Sequence, residues 1–420
     1  MEHLDIYHPF RVRGRVALPA SKSISNRALI INALSGGTQL PENLSDCDDT
    51  RVMLRALQEM PETIDIGAAG TAMRFLTAYL SVTPGTHVIT GTERMRHRPI
   101  GILVDALREL GAHVEYVGEE GFPPLRITGR TDLVGGELTV PGNVSSQYIS
   151  ALLMIAPTLK RGLQLTLTGE IASRPYLDMT LTMMGDFGAE THWVGEDVIE
   201  VRPVPYKSRP YFVESDWSAA SYWYEMVALT EDMGADIELP GLNLKSMQGD
   251  CRVWELFCEL GVVTEFYRDA GGTPVVRLSK GNGVTDYFVC DFTHQPDLAQ
   301  TLAVTCAMLG VPFRLRGLHS LRIKETDRIA ALCQELGKLV AIETEDDDLV
   351  WEGFYRIDME DCPDCSLVFD TYEDHRMAMA LAPVALCLNS RVRINNPEVV
   401  SKSYPTYWTD LEEIGFRISK

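Results

Sequence analysis

Six basic residues stand at or near the starts of segments with helical apolar periodicity: Lys22, Arg27, Arg98, Lys324, Arg328 and Arg376. A helix start already carries unpaired N–H groups and the positive end of the helix dipole, so packing alone gives little reason to put cations there. The chemistry that suits such a distribution is oxyanion recognition. Arginine can grip phosphate or carboxylate with two parallel bonds, and lysine supplies a point charge that can also donate a proton. In LRIKETDRIAALCQEL, the spacing of Ile329, Leu332, Cys333 and Leu336 predicts a helix with Lys324 and Arg328 on one face, about a turn apart near its start. Taken alone, that segment is equally an exposed face of ion pairs among Lys324, Glu325, Asp327 and Arg328.

Neutral polar residues fall in the same places. In PGNVSSQYISALLM, Ser145, Ser146 and Gln147 open a helical pattern. Singly they read as an ordinary serine cap; with the cations they become a phosphate cradle of two hydroxyls and helix N–H groups, with Gln147 reaching a second ligand. In IGAAGTAMR, Gly67 and Gly70 among Ala68, Ala69 and Thr71 allow backbone to approach a ligand closely. The segment lacks the GK[ST] ending of a phosphate loop and the spacing of a dinucleotide fingerprint, which counts against nucleotide hydrolysis and hydride transfer. His375, between Asp374 and Arg376, and Asp297 in QPDLAQ are acid–base candidates that could equally be structural or capping residues.

The elements that must position these residues repeat. Six segments start with small or polar residues and continue as apolar helices: SKSISNRALIINAL, GAAGTAMRFLTAYL, VSSQYISALLMIA, DWSAASYWYEMVAL, HQPDLAQTLAVTCAML and DHRMAMALAPVALCL. Each is followed by a second helical pattern, and short alternating strands such as HVIT, LRIT, GLQLTLTG, PVVRL, FRLRG and RVRINN lie between. Six units in 420 residues give about 70 each, longer than typical solenoid repeats, so compact domains are expected. The first helix of each unit is apolar around most of its circumference and should be buried.

A net charge of −21 disfavours non-specific binding to nucleic acid or an anionic membrane surface, so the clustered cations point to small anions. The start, MEHLDIYHPF, lacks the basic and apolar regions of a secretory signal, and a cytoplasmic protein is expected. Nine cysteines imply reduced thiols; Cys362 and Cys365 have metal or redox spacing but read best as a surface turn.

Taken in order, SKSISNRAL, GTAMR, RPIGILVDALRELGA, VSSQ, SMQGD, RIKETDR and DHRMAMA resemble the EPSP synthase family over essentially the whole chain. The resemblance implies an α/β, two-domain enolpyruvyl transferase fold, each domain of three βαβ-containing repeats with buried helices, six in all. Domain 1 would be discontinuous, residues 1–20 and 214–420, and domain 2 residues 21–213, with the active site in the cleft between them. The implied reaction moves the enolpyruvyl group of phosphoenolpyruvate to the 5-hydroxyl of shikimate 3-phosphate by addition–elimination, in the shikimate pathway to chorismate and the aromatic amino acids. No metal or organic cofactor, nucleic acid or membrane partner is expected, and the chain is expected to be a monomer.

By that resemblance the phosphoenolpyruvate contacts are Lys22, Gly70, Arg98, Gln147, Arg328, Arg376 and Lys402. The shikimate 3-phosphate contacts are Lys22, Ser23, Arg27, Ser145, Ser146, Gln147, Ser173, Tyr176, Asp297, Ser320 and Lys324. Asp297, Glu325 and Lys22 are the implied catalytic residues. Ala68 and Ser320 stand where the family commonly has Asn, so neither repeats the usual side-chain contact. Two rival readings are a transferase acting on UDP-N-acetylglucosamine and a catalytically dead metabolite-binding homologue. The first typically carries Lys-Asn where Lys22-Ser23 stands and an active-site loop cysteine, whereas none of the nine cysteines falls between Cys47 and Cys251. Retention of every acid–base candidate opposes the second.

Overall fold

The computed structural model describes residues 2–356, 367–388 and 391–420; the Cys362–Cys365 pair lies outside them. The chain divides into two compact units, Met1–Pro19 with Glu214–Lys420, and Ala20–Val213.

Five four-stranded sheets share one pattern, three in the first unit and two in the second. In each, an edge strand pairs in parallel with its neighbour, and the remaining two pairings are antiparallel. A parallel pair needs a crossover of a dozen or more residues, and here each crossover holds one of the apolar helices. Gly70–Val82 links Thr63–Asp65 to Gly85–Thr90, Ser146–Ile155 links Gly136–Pro141 to Leu163–Thr168, and Ala299–Leu309 links Phe288–Asp291 to Phe313–Arg316. His375–Leu381 lies between Leu367–Phe369 and Val392–Asn395, and Trp217–Leu229 precedes Asp236–Pro240, whose parallel partner Arg13–Arg15 comes from the N-terminal segment. The sixth helix, Lys22–Leu34, has no four-stranded sheet among the described residues. Its unit keeps an isolated bridge, Glu42 to Phe212. The intervening SGGTQLPENL, with two glycines, a proline and a single β-branched residue, is poor strand material.

The first and second helices of the units bury differently for reasons visible in their residues. Every position of Gly70–Val82 is buried. In Asp48–Glu59, only Asp49, Thr50, Met53 and Ala56 are, a narrow stripe with charged residues elsewhere. Two of the inner helices are shorter than their apolar runs. Pro383 turns His375–Leu381 into a 3-10 segment, Ala382–Cys387, and Pro296 makes a 3-10 turn, Pro296–Leu298, before Ala299–Leu309. The expected position of Lys324 needs correcting. The helix begins at Arg328, because Asp327 caps it by accepting from the Ala330 amide at 3.0 Å. Lys324 and Glu325 precede that cap, and Lys324 follows the 3-10 turn His319–Ile323, so Lys324 and Arg328 do not share a helix face.

Glu225 is fully buried on the Trp217–Leu229 helix, and neither carboxyl oxygen has a hydrogen-bond partner in acceptable geometry among the described residues. Burial pushes its pKa well above the usual range, with Thr305 pulling the other way. The folded protein therefore keeps a proton that the unfolded chain releases above about pH 4. Stability should fall as pH rises from there toward the raised value. Glu225→Gln, neutral throughout, should match the parent near pH 4 and show an increasingly higher Tm at neutral and alkaline pH. A Tm difference that does not change with pH would mean that Glu225 is not protonated in the fold.

Candidate active site

In the Ala20–Val213 unit, three buried helices bring their starts together. Ser21 caps Lys22–Leu34, and the Lys22 ammonium lies 3.7 Å from the buried Asp49 carboxylate. One turn on, Arg27 is 2% exposed. It donates to Thr180 Oγ1 at 2.7 Å, Ser150 Oγ at 3.0 Å, the Ser23 carbonyl at 3.0 Å and the Tyr176 carbonyl at 3.4 Å. All four acceptors are neutral, and burial lowers its pKa to about 10, which still leaves it charged at neutral pH. Arg27 thus holds the Ser23 and Tyr176 backbones and adds positive field beside them. Ser145 caps Ser146–Ile155 through the Gln147 amide at 3.4 Å, and the Gln147 side chain donates to Thr71 Oγ1 at 3.1 Å, tying this helix start to that of Gly70–Val82. Ser173 sits at φ +55° before Arg174–Asp186, and its loop is held to the Ser145 loop by the Ala172 amide donating to Gly142.

Gly70 has two guanidinium tips against it. A methyl built there would come within 2.7 Å of Arg98 Nη1 and 2.9 Å of Arg74 Nη1. Arg74 is 4% exposed, donates to the Gly70 carbonyl at 2.9 Å and lies over the Tyr148 ring, whose hydroxyl donates to the Pro99 carbonyl. Arg98 Nε is buried with no partner among the described residues. Two cations converging on a glycine backbone favour an anion there. Since φ of Gly70 is not positive, alanine is tolerable to the backbone, and Gly70→Ala should act by displacing the guanidiniums. KM for a doubly anionic ligand held there should rise roughly 10- to 100-fold, with smaller loss for the co-substrate. Equal losses for both, or a large fall in Tm, would reassign Gly70 to backbone geometry.

In the other unit, Asp297, Arg328 and Arg376 come from the starts of three further helices. Asp297 accepts from Arg376 at 2.9 Å and Arg328 at 3.0 Å, with Lys324 at 3.4 Å. Glu325 pairs with Arg328 at 2.9 Å and Lys402 at 3.2 Å. Arg328, 1% exposed, also bonds both oxygens of the fully buried Asp374, at 2.7 and 3.3 Å. Burial alone would raise the Asp297 pKa, but Arg376, Lys324 and Arg328 hold it well below the usual carboxylate range. Asp250, buried behind this group and bonded by Ser218, is pushed up to about 6 by burial and by Asp297, against the pull of Arg376. Arg376 reaches Tyr222, whose hydroxyl burial pushes up to about 12. His375 is buried, with Nδ1 3.8 Å from Asp374. Ser320 is half-buried in the turn before Lys324.

The expected site residues therefore fall into two groups, one per unit. Lys22, Ser23, Arg27, Gly70, Arg98, Ser145, Ser146, Gln147, Ser173 and Tyr176 lie in one. Asp297, Ser320, Lys324, Glu325, Arg328, Arg376 and Lys402 lie in the other. Sequence reasoning did not single out the residues that orient them: Asp49, Thr71, Arg74, Asp250 and Asp374. Arg74 had a usable signal, a charge inside a helix otherwise apolar on every side. Asp374 had another, an Asx cap two residues before a cation.

An EPSP synthase (3-phosphoshikimate 1-carboxyvinyltransferase) family profile matches residues 6–65 and 58–411. A 3-phosphoshikimate 1-carboxyvinyltransferase of Bacteroides fragilis is 60% identical over 412 residues, covering 98% of this chain and 97% of the relative. One from Vibrio cholerae is 36% identical, covering 99% of this chain and all of the relative. Among solved structures, EPSP synthase from Acinetobacter baumannii shares the fold with a TM-score of 0.77 at 23% identity, each chain covered completely. The enolpyruvyl transferase NikO from Streptomyces tendae aligns with a TM-score of 0.70 at 16% identity, over 99% of this chain and 98% of its own. The repeated parallel-crossover units, the two groups of cations at helix starts and these full-length matches lead to one assignment: the chain belongs to the EPSP synthase (3-phosphoshikimate 1-carboxyvinyltransferase) family.

Proposed function

We propose that the residues above divide the labour of a single reaction, the transfer of the enolpyruvyl group of phosphoenolpyruvate to the 5-hydroxyl of shikimate 3-phosphate with release of phosphate. The chain is an enzyme of that reaction, a step in the shikimate pathway to chorismate and the aromatic amino acids. The observation that carries the residue-level reading is the grouping of Asp297 and Glu325 with Lys324, Arg328, Arg376 and Lys402. Two carboxylates stand among four cations, as a proton-transfer site for anionic substrates requires.

Lys22, Arg98, Arg328, Arg376 and Lys402 bind the phosphate and carboxylate of phosphoenolpyruvate, with the Gly70 backbone and Gln147 completing the contact. Ser145, Ser146 and Ser173 hold the phosphate of shikimate 3-phosphate. Lys22, Ser23, Arg27, Gln147, Tyr176, Ser320 and Lys324 complete that ligand's contacts, and Asp297 takes its ring hydroxyls. The cations that depress the Asp297 pKa make it a weak base. Once they turn to substrate oxyanions, its basicity rises at the moment the 5-hydroxyl is in place. The hydroxyl oxygen then bonds to C2 and yields its proton to Asp297, while C3 gains a proton from Glu325 or Lys22. In the second half-reaction C3 returns that proton, the C2–O bond to phosphate breaks, and the departing phosphate takes the proton held by Asp297.

Since the expected contacts of each substrate fall in both units, we propose that the substrates draw on both and that binding is accompanied by closure. Small-angle scattering should show a smaller radius of gyration with shikimate 3-phosphate; an unchanged radius would remove the closure. We further read the enzyme as a monomer of the cytoplasm. No helix among the described residues is long and apolar enough to cross a membrane, and the net charge of −21 discourages self-association. The deciding assay is phosphate release from phosphoenolpyruvate with shikimate 3-phosphate or UDP-N-acetylglucosamine as acceptor. Release only with the former is expected. Release only with the latter, or with neither, would overturn the assignment.

A further inference from the structure

Two consecutive residues with side chains, Tyr372 at φ +54° and Glu373 at φ +56°, stand directly before Asp374, His375 and Arg376. Left-handed backbone is costly where a Cβ is present, and two such residues in a row persist only where the surroundings over-determine them. The surroundings here converge on one buried carboxylate. Glu335, fully buried, accepts from the Tyr372 hydroxyl at 2.6 Å and from the Asp370 amide at 3.1 Å. Lys338 shares the oxygen that accepts from Asp370, donating to it at 2.5 Å, and also donates to the Val368 carbonyl at 2.7 Å. Asp374 closes the turn by donating its amide to the Thr371 carbonyl at 2.8 Å.

Glu335 and Arg328 belong to the same helix, Arg328–Leu336, seven residues or nearly two turns apart, and so share a face. That face grips the 370–374 segment twice. Glu335 holds Asp370 and Tyr372; Arg328 holds Asp374, which in turn caps the Arg376 amide at 2.9 Å. We infer that Glu335 is a positioning residue for the reaction: through Tyr372 it fixes the left-handed turn that sets Asp374 and Arg376 against Arg328 and Asp297. The inference rests on the reading above that Arg328 and Arg376 bind phosphoenolpyruvate. It adds to that reading a residue that touches neither substrate.

Tyr372→Phe removes the hydroxyl–carboxylate bond and leaves the ring in place, so it tests the role without emptying the core. KM for phosphoenolpyruvate should rise about tenfold, the loss expected for a hydrogen bond to a charged group, with KM for shikimate 3-phosphate and Tm close to the parent. Glu335→Gln should move the same constant in the same direction, and the double variant should be little worse than the worse single one, since both act through one bond. Arg376→Lys serves as the reference for the underlying reading. If Arg376→Lys raises KM for phosphoenolpyruvate while Tyr372→Phe leaves it unchanged, or lowers only Tm, Glu335 is a purely structural residue and the inference is overturned with the site intact. If Arg376→Lys leaves that KM unchanged, the site reading falls and the inference falls with it. Should Glu335→Gln fail to fold, the Tyr372→Phe and Arg376→Lys pair still decides.

Discussion

Asp297→Asn is expected to lower kcat by roughly 10²–10⁴, the range for loss of a positioned acid or base, while KM for phosphoenolpyruvate stays level or falls. The direction of the second effect follows from the geometry. Asp297 occupies Arg376 at 2.9 Å, Arg328 at 3.0 Å and Lys324 at 3.4 Å. An amide of the same shape accepts more weakly and carries no charge, so these cations become more available to the substrate's oxyanions just as the base is lost. A variant that instead lost affinity and kept kcat would show Asp297 to be a ligand-orienting residue. Glu325→Gln should lose kcat in the same range, since Arg328 and Lys402 face its carboxylate as other cations face Asp297.

Arg328→Met should be the most destabilising single change in this site, by about 3–5 kcal/mol, because it leaves buried carboxylates without their partner. Arg328 is 1% exposed and serves Asp374, Glu325 and Asp297 at once. Those three carboxylates hold its pKa above the ordinary value although burial pulls it down. Part of the parent's advantage is pH-dependent. The depressed Asp297 pKa contributes stability that is present above the ordinary carboxylate value near about 4 and is lost as pH falls through the lower, folded one. The Tm gap between parent and variant should therefore be widest near neutrality and narrow on acidification. A variant melting within about 2 °C of the parent at pH 7 would mean that the carboxylates are hydrated or otherwise paired.

How much of this was legible in the sequence depended on whether the signal was local. The inner helices were legible because each is apolar around its circumference, as in Gly70–Val82, and their partners because a stripe such as Met53 and Ala56 is periodic. Lys324 was misplaced because helical spacing continues through RIKETDR, and only the Asp327 cap, a matter of backbone angles, fixes the start at Arg328. The burial of Arg27 was illegible, since its acceptors Ser150 and Thr180 come from helices more than a hundred residues away in the chain. Glu335 was equally hidden. In sequence it is one more acidic residue on an amphipathic helix, and the partner that gives it a role, Tyr372, lies 37 positions downstream. Arg98, Ser145 and Asp374 lay in motifs that could be read, but which of them bind and which orient is decided by distances that no spacing rule contains.

The central claim is that carboxylates on the 297 and 325 segments move the protons of an enolpyruvyl transfer. The most direct test is deuterium incorporation at C3 of phosphoenolpyruvate during turnover with shikimate 3-phosphate in deuterated water, comparing the parent with Asp297→Asn and Glu325→Gln. The parent should label C3, and each variant should label it more slowly in proportion to its loss of kcat. Normal turnover and normal C3 labelling in both variants would contradict the assignment and leave Lys22 as the residue to carry both proton transfers.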